Sequence, residues 1–241
     1  MPDLRIDRRS LLQGLLAMPL LGAVREKPLR VQLVTGGHDH NLSFYDVFAG
    51  HPELEITVNP HPHAFRASLA KACDVLVLYD DADADAGEQA ALRTFLDAGK
   101  GMLVLHHAIC DNQQWPWWYE EVVGGLYVLK PLPGKLPSRY KHDEDFDVRP
   151  VGRHPILSGI GPFHINDEAY GDLWISPKVQ VLLETEHPIN AKPLAWVSPF
   201  AKSRVVYLQL GHGPKAHEHP VYRKLVHQAI AWCGSRPAAT P

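Results

Sequence analysis

From Leu29 onward, short apolar runs alternate with stretches that carry apolar residues at helical spacing. The apolar runs predict four strands: LRVQLVTGG (29–37), LEITVN (54–59), DVLVLYD (74–80) and MLVLHH (102–107). The segments between them predict helices: LSFYDVFAG (42–50), AFRASLAKA (64–72) and ADAGEQAALRTFLDAGKG (84–101). The third strand is apolar along almost its whole length, which is typical of a central parallel strand buried on both faces.

Strands that alternate with helices of this length predict βαβ units with right-handed crossovers. The predicted fold class is therefore α/β, with a doubly wound, mostly parallel sheet and helices on both of its faces. Such sheets bind ligands at the carboxyl ends of their strands. Polar residues follow three of the predicted strands at that point: His38 and His40, Asp80 and Asp81, and His106 and His107.

The second half of the chain has a less regular pattern. WPWWYEEVVGGLY (115–127) predicts a short helix that ends at Gly124 and Gly125, and residues 130–145 predict a long loop. Four further runs are strand candidates: DFDVRPV (145–151), VQVLLET (179–185), LAWVSPF (194–200) and RVVYLQL (204–210). The last of these leads into GHG, so it delivers His212 to a strand end. YRKLVHQAIAWC (222–233) predicts a closing amphipathic helix. The sequence contains neither a repeat nor a linker, which indicates a single domain over residues 25–241.

The first 24 residues have the pattern of a targeting segment. Arg8 and Arg9 precede an apolar stretch from Leu11 to Val24, which is too short to span a bilayer. Paired arginines followed by Ser-Leu-Leu predict a twin-arginine signal peptide, and hence a periplasmic or secreted protein. The alternative is an amphipathic amino-terminal helix of the mature protein.

Composition narrows the classes of partner. The net charge of -3 provides no basic surface for nucleic acid, and no later segment is apolar enough to cross a membrane once the signal is removed. A homo-oligomer remains possible on the sequence. The three cysteines lack metal-site or disulfide spacing. GGHDHN (36–41) does not match the GxGxxG motif of dinucleotide-binding folds, and it lacks the lysine of a P-loop, so no nucleotide cofactor is expected.

The 15 histidines suggest metal binding, proton transfer or sugar recognition. His38, His106 and His212 follow predicted strands and are expected to converge. These three could hold a divalent metal such as zinc, or could transfer protons to and from a polar substrate. Adjacent strand residues point to opposite faces, so only one of His106 and His107 should enter the site. Other histidines are assigned structural roles (His61, His63, His142, His187 and His227), while His217 and His219 stay open.

Two further clusters are candidates for the site. FHINDEAYG (163–171) contains Asp167, Glu168 and Tyr170, where a carboxylate could act as a general base or a metal ligand. The alternative for the two acids is a helix cap or a surface pair. Trp117 and Trp118 follow the histidine strand, and aromatic faces of this kind stack on sugar rings. Core packing of a short helix is their alternative role.

Four motifs together resemble the ThuA-like, or trehalose utilisation, family: VTGGHDH, LDAGKGMLVLHHA, DVRPVGRHPILSGIGPFHINDEAY and PLAWVSPFAKSRVVYLQLGHG. The resemblance implies the flavodoxin-like fold of the class I glutamine amidotransferase-like superfamily. In amidotransferases, the strand matching MLVLHH leads into a nucleophilic cysteine. His106, His107 and Ala108 stand there instead, and Cys110 lies further along, so amidotransferase activity is not expected. The family's recurrent polar positions correspond to His38, His106, Asp167, Glu168 and His212.

The resemblance also implies a carbohydrate-active enzyme that acts on a disaccharide, another glycoside or a 3-keto derivative. Glu168 or His106 would be the base, and His212 the acid or electrophilic partner. His38, Asp167, Tyr170, Trp117 and Trp118 would bind the small-molecule sugar substrate. Two alternatives remain: a non-catalytic carbohydrate-binding or sensing domain, and a metal-dependent hydrolase of a non-sugar substrate.

Overall fold

A computed structural model describes residues 27–66 and 68–235 of the chain. The strands of the described residues are β1 Leu29–Gly36, β2 Leu54–Val58, β3 Val75–Asp80, β4 Gly101–Leu105, β5 Gly125–Leu126, β6 Arg139–Pro150, β7 Phe163–Gly171, β8 Trp174–Ile175, β9 Gln180–Thr185, β10 Pro193–Val197 and β11 Val205–Leu208. Most of them form one nine-stranded sheet in the order β2-β1-β3-β4-β11-β10-β9-β6-β7, and a two-stranded sheet pairs β5 with β8. The predicted signal peptide lies outside the described residues.

The parallel part of the large sheet consists of β2, β1, β3, β4 and β11. The predicted α/β fold class is confirmed, and all four strands predicted in the first half are present. β4 and β11 come from distant parts of the chain and still pair in register, with Leu105 of β4 opposite Leu208 of β11. The residues that follow these two strands therefore emerge side by side at the carboxyl edge of the sheet.

The other part of the sheet is antiparallel and differs from the prediction. Residues 130–145 were expected to form a loop, but β6 already begins at Arg139. It pairs with β7 from Arg139 to Val148, and its last three residues pair with β9. The loop prediction was wrong for this stretch because charged residues dominate it, and a strand exposed on one face can carry them. The resulting hairpin places Glu168 of β7 beside the carboxyl ends of β4 and β11.

Both faces of the parallel strands are buried, as the continuous apolar runs predict. On β3, Val75, Val77 and Tyr79 pack into one core, and Leu76 and Leu78 pack into the other. Helices cover both faces: α5 (Pro220–Gly234) contributes to the first core and α3 (Ala86–Asp97) to the second. A capping box between Asp85 and Glu88 fixes the start of α3.

The remaining helices are short. They are α1 Ser43–Asp46, α2 Leu69–Ala72 and α4 Pro214–His217, with 3-10 turns at His106–Cys110 and Pro155–Leu157 and a π-helical segment at Trp117–Val123. Of these, α1 and α2 are shorter than predicted, and α4 was not predicted. The π-helical segment ends at Gly124, which has a φ of 74°, so the predicted stop is confirmed. Within the described residues, none of the helices combines the length and the hydropathy that a membrane crossing requires.

Candidate functional site

The ends of β4 and β11 bring the central histidine into place. His106 follows Leu105 directly, turns the chain out of the strand with a φ of 49°, and is 1% exposed. Its Nδ1 lies 2.7 Å from the carbonyl oxygen of Gln209, the first residue after β11. A carbonyl oxygen only accepts, so Nδ1 carries a proton and donates. Nε2 therefore points away from the strand end and is available to the site.

Two side-chain atoms form a triangle with Nε2 of His106. Oε2 of Glu168 lies 3.1 Å from it and Nδ1 of His212 lies 3.2 Å from it. Glu168 and His212 are in turn 3.2 Å apart through the same two atoms. The sequence correctly predicts that His106 and His212 converge. Glu168, predicted as a base or metal ligand, completes a compact triangle with them.

Asp167 has a different function from the predicted binding of substrate. Its Oδ2 accepts the backbone N–H of Gly211 at 2.7 Å, and its Oδ1 accepts that of His212 at 2.9 Å. Oδ1 also accepts the N–H of Glu168. Asp167 is buried and its carboxylate is occupied by the backbone, so we revise its role to that of a positioning residue for His212.

Tyr170 belongs to the site, at the far end of β7. Its hydroxyl lies 3.0 Å from Nε2 of His106, and the two rings stack with centroids 5.0 Å apart. Burial and the nearby Glu168 carboxylate keep the pKa of the tyrosine well above its usual value, so the phenol is neutral and donates.

His142 joins the site, although the sequence suggested a structural role for it. Its Nδ1 donates to Oε1 of Glu168 at 3.0 Å, and its ring packs against His212 with centroids 4.7 Å apart. It was missed because the stretch around it was taken for a loop. The alternation of residues along β6 places His142 over the strand ends, and this alternation was the available signal.

Burial and hydrogen bonding act in opposite directions on the Glu168 carboxyl group. Burial raises its pKa, but the hydrogen bonds to His106 and His212 outweigh that effect and hold the pKa well below its usual range. For His212, the hydrogen bond to Glu168 raises the pKa against the effect of burial. The Glu168 carboxyl group therefore favours its ionised form in the folded protein.

His107 also enters the site, so the prediction that only one of the two adjacent histidines would do so was wrong. The reason is that β4 ends at Leu105 and the histidines lie on a 3-10 turn, where the strand alternation no longer holds. Burial lowers the pKa of His107 to about 2, so its ring is neutral. Its Nε2 is buried without a hydrogen-bond partner among the described residues.

His38 lies across the cavity from the triangle and is exposed. Its ring stacks on that of His107 with centroids 4.8 Å apart, and its Nδ1 donates to the Asp39 carbonyl. The potential metal-binding group at this site consists of His106, Glu168 and His212. Glu168 thus takes the place predicted for His38 in the candidate metal set.

A cavity of about 380 Å³ opens onto the triangle. Besides the triangle, the cavity is lined mostly by histidines and tyrosines, together with Asp81, Cys110 and Leu129; the lining residues are His38, Asp81, His107, Cys110, Tyr127, Leu129, Tyr140, His142 and Tyr170. Burial raises the pKa of Cys110 well above its usual value, so this thiol is protonated and a poor nucleophile.

The predicted tryptophans do not line this cavity. Trp118 is 1% exposed and packs in the core, and Trp117 lies against the guanidinium of Arg93, 3.8 Å from its ring. Core packing, the alternative given for them, is therefore the role of Trp118. The aromatic side chains at the cavity are tyrosines instead, and one of them, Tyr140, is 59% exposed at the mouth.

A family model described as ThuA, trehalose utilisation, matches residues 31–233. The chain belongs to the ThuA family. The match covers all the residues of the triangle and the cavity. The family resemblance inferred from the sequence motifs is therefore confirmed. No curated protein matches the chain in sequence.

Solved structures with the same fold include two other ThuA-like proteins. One is from Parabacteroides merdae ATCC 43184, with a TM-score of 0.73 and 15% identity over 89% of this chain and 94% of that chain. The other is from Bacteroides uniformis ATCC 8492, with a TM-score of 0.67 and 16% identity over 86% of this chain and 92% of that chain.

A more distant similarity links ThuA to the amidotransferase fold. A GMP synthase component from Thermoplasma acidophilum gives a TM-score of 0.53 at 12% identity, over 86% of this chain and 95% of that chain. At this identity only the fold is shared. The flavodoxin-like, glutamine amidotransferase-like fold implied by the resemblance is thereby confirmed.

Proposed function

We propose that this ThuA protein is an enzyme that acts on a hydroxyl-rich substrate, namely a disaccharide or other glycoside, or its 3-keto derivative. The observation that carries the proposal is the composition of the 380 Å³ cavity, whose wall concentrates five imidazoles and two carboxylates around one opening. Clefts with convergent polar groups and shifted pKa values are typical of active sites. The family's description, trehalose utilisation, supports a sugar as the substrate class.

Two sides of the cavity suit the two kinds of surface on a sugar. The unpartnered Nε2 of His107 and the half-buried carboxylate of Asp81 offer hydrogen bonds to hydroxyl groups. Leu129 and Tyr140 are 57% and 59% exposed at the mouth, where they offer apolar contact to the C–H face of a pyranose ring. Tyr140 thus takes the stacking function that the sequence suggested for Trp117 and Trp118.

The chemistry of a 3-keto glycoside fits the groups in the triangle. The C2 proton lies next to the ketone and is acidic, so a base removes it and the C1–O bond to the aglycone breaks. A C1=C2 double bond forms, and the leaving oxygen takes up a proton. Glu168 and His106 are placed as bases and His212 as the acid or electrophilic partner. In the alternative arrangement, the same three side chains would hold a divalent metal that polarises the ketone, and they would then act through the ion and not directly as base and acid.

The test is turnover of trehalose and of 3-keto-trehalose, followed by mass spectrometry of the products. Wild-type protein should cleave at least one of them, and His106→Ala and His212→Ala should lower the rate by roughly 100-fold or more. His51→Ala, on the opposite side of the molecule, is the control and should keep the wild-type rate.

Binding of either sugar by calorimetry without any product would favour the alternative of a sugar-binding or sensing domain. If the protein neither binds nor cleaves these sugars, the sugar assignment is overturned. The function to pursue would then be a metal-dependent hydrolase of another substrate.

We further propose that the protein is exported through the twin-arginine route to the periplasm or the medium. The support is the sequence pattern of Arg8, Arg9 and the apolar stretch that follows. Expression of the full chain in a bacterium with this pathway should place the protein outside the cytoplasm, and replacement of both arginines by lysine should retain it inside. An unchanged distribution in the lysine variant would overturn the export route.

A further inference from the structure

The three atoms of the triangle, each of which can carry a lone pair, lie close to one another. Nε2 of His106, Nδ1 of His212 and Oε2 of Glu168 form a triangle with sides of 3.1, 3.2 and 3.2 Å. His106 and Glu168 are 1% and 5% exposed, so solvent does little to separate the charges. Two imidazole nitrogens and a carboxylate oxygen at this spacing are held together either by shared protons or by a cation between them.

Protons alone do not satisfy all three pairs. Each imidazole nitrogen either donates or accepts, so only one of His106 Nε2 and His212 Nδ1 can carry a proton if these two are hydrogen-bonded. That proton cannot point at its nitrogen partner and at Oε2 of Glu168 at the same time. At least one of the three close pairs is therefore left without a linear hydrogen bond, whereas a cation attracts all three atoms together.

The sides of the triangle match the spacing of ligands around a metal ion. Bonds of about 2.0–2.1 Å to zinc put the ligand atoms of a tetrahedral site roughly 3.3 Å apart. In an octahedral site with similar bond lengths, neighbouring ligand atoms are roughly 3.0 Å apart. The observed sides lie between these values. One ion placed between the three atoms can therefore reach all of them at ordinary bond lengths.

The surroundings of the triangle hold each ligand in orientation. His106 donates its Nδ1 proton to the carbonyl of Gln209, which fixes the tautomer whose Nε2 lone pair points into the site, where the Tyr170 hydroxyl lies 3.0 Å away. The second oxygen of Glu168 accepts from His142. Hydrogen bonds of this kind to the outer atoms of the ligands are typical of metal sites in proteins.

We propose that His106, Glu168 and His212 bind one divalent transition-metal ion, of the zinc type, at the wall of the 380 Å³ cavity. Two imidazoles and one carboxylate select first-row transition metals over calcium and magnesium. Three protein ligands leave coordination positions open toward the cavity, which is typical of catalytic sites. The metal site itself stands apart from the proposed function; only the role of the ion, to polarise a ketone oxygen of the substrate, rests on it. The three side chains then act through the ion.

A second group of potential ligands provides an internal control. His51, Glu53 and His227 also lie close together, but the two rings stack face to face at 3.9 Å with an interplanar angle of 14°. Lone pairs in stacked parallel rings do not meet at one point, and His227 makes an ordinary 2.6 Å hydrogen bond to Glu53. This group is not expected to bind an ion tightly.

The experiment is metal titration of the full chain, expressed without a polyhistidine tag and stripped with a chelator. Calorimetry with Zn²⁺ and with Co²⁺, together with elemental analysis, should give one ion per chain with a Kd below roughly 1 µM. The visible spectrum of the Co²⁺ form reports the coordination independently of activity.

Glu168→Gln and His106→Ala should each weaken binding by roughly 100-fold or more, whereas His51→Ala should bind like the wild type. Glu168→Gln keeps the size of the side chain, and circular dichroism checks that each variant is folded. The metal site is overturned if the wild-type protein binds less than one ion per chain. It is also overturned if folded Glu168→Gln binds the ion as tightly as the wild type. Metal-loaded protein that leaves both sugars unchanged overturns the proposed substrate instead.

Discussion

Oδ1 of Asp167 accepts the backbone N–H of His212 at 2.9 Å, across 45 residues of sequence. The side chain holds the loop after β11 by its backbone and does not face the cavity. This contact explains how a residue in a loop is kept in the orientation that the triangle requires. It also means that an acid in the FHINDEAYG motif serves the site without touching the ligand.

Asp167→Asn should destabilise the protein and distort the triangle. The amide has one acceptor oxygen instead of two, and its NH₂ group would face a backbone N–H. Loss of a charge-assisted hydrogen bond in a buried position costs about 2–3 kcal/mol. Urea denaturation should show this loss. Asp147→Asn, in a side chain that is 97% exposed, is the control and should stay within about 0.5 kcal/mol of the wild type.

His142→Ala should weaken metal binding without unfolding the protein. The side chain is 52% exposed, so little packing is lost, but the second oxygen of Glu168 loses its donor. Removal of such an outer contact lowers metal affinity by about 10–100-fold. Competition with a chromogenic chelator measures the change. An affinity equal to that of the wild type would show that His142 does not contribute to the site.

Trp118→Ala and Tyr140→Ala should have opposite effects. Trp118 is buried, and its truncation should cost about 3–5 kcal/mol of unfolding free energy. Tyr140 is 59% exposed, so its removal should leave stability within about 0.5 kcal/mol while it weakens the binding of sugar. Denaturation and calorimetry with trehalose separate the two roles. Unchanged sugar affinity in Tyr140→Ala would remove the tyrosine from the proposed site.

Asp74 gives a pH-dependent contribution to stability that is independent of the site. Its hydrogen bonds to Arg30 outweigh partial burial and, with Lys100, hold the pKa of the carboxyl well below its usual value. The folded state thus favours the ionised form, so the stabilisation is present above about pH 4 and is lost as the pH falls below that value.

Asp74→Asn should therefore cost about 1–3 kcal/mol at pH 7, and the difference from the wild type should shrink as the pH is lowered below about 4. Urea denaturation across this range measures it. Asp97→Asn breaks the exposed pair with Lys202 and is the matched control, with an expected cost of about 0–1 kcal/mol. A difference for Asp74→Asn that grew at low pH would contradict this account.

The parallel half of the fold could be predicted from the sequence because its signal is local. The apolar runs that became β1, β3 and β4 are buried on both faces, and the capping box at Asp85 marks the start of α3. The site could be predicted in part for the same reason, since His106 and His212 directly follow apolar strands. Trp117 and Trp118 were predicted to bind the sugar but do not line the cavity. Sequence alone does not separate the two roles, because an aromatic residue has the same local pattern whether it packs in a core or lines a cavity.

The sequence by itself determined the α/β class, the family and the edge of the sheet at which polar side chains gather, because the periodicity of apolar residues dictates burial and parallel strands share one carboxyl edge. Only the tertiary structure decided which residues meet there. Glu168 and His142 arrive on the β6–β7 hairpin, and the pairing of β4 with β11 sets the Gln209 carbonyl against His106. These contacts depend on strand register and on the turn at His106, which are set by long-range pairing and not by neighbouring residues in the chain.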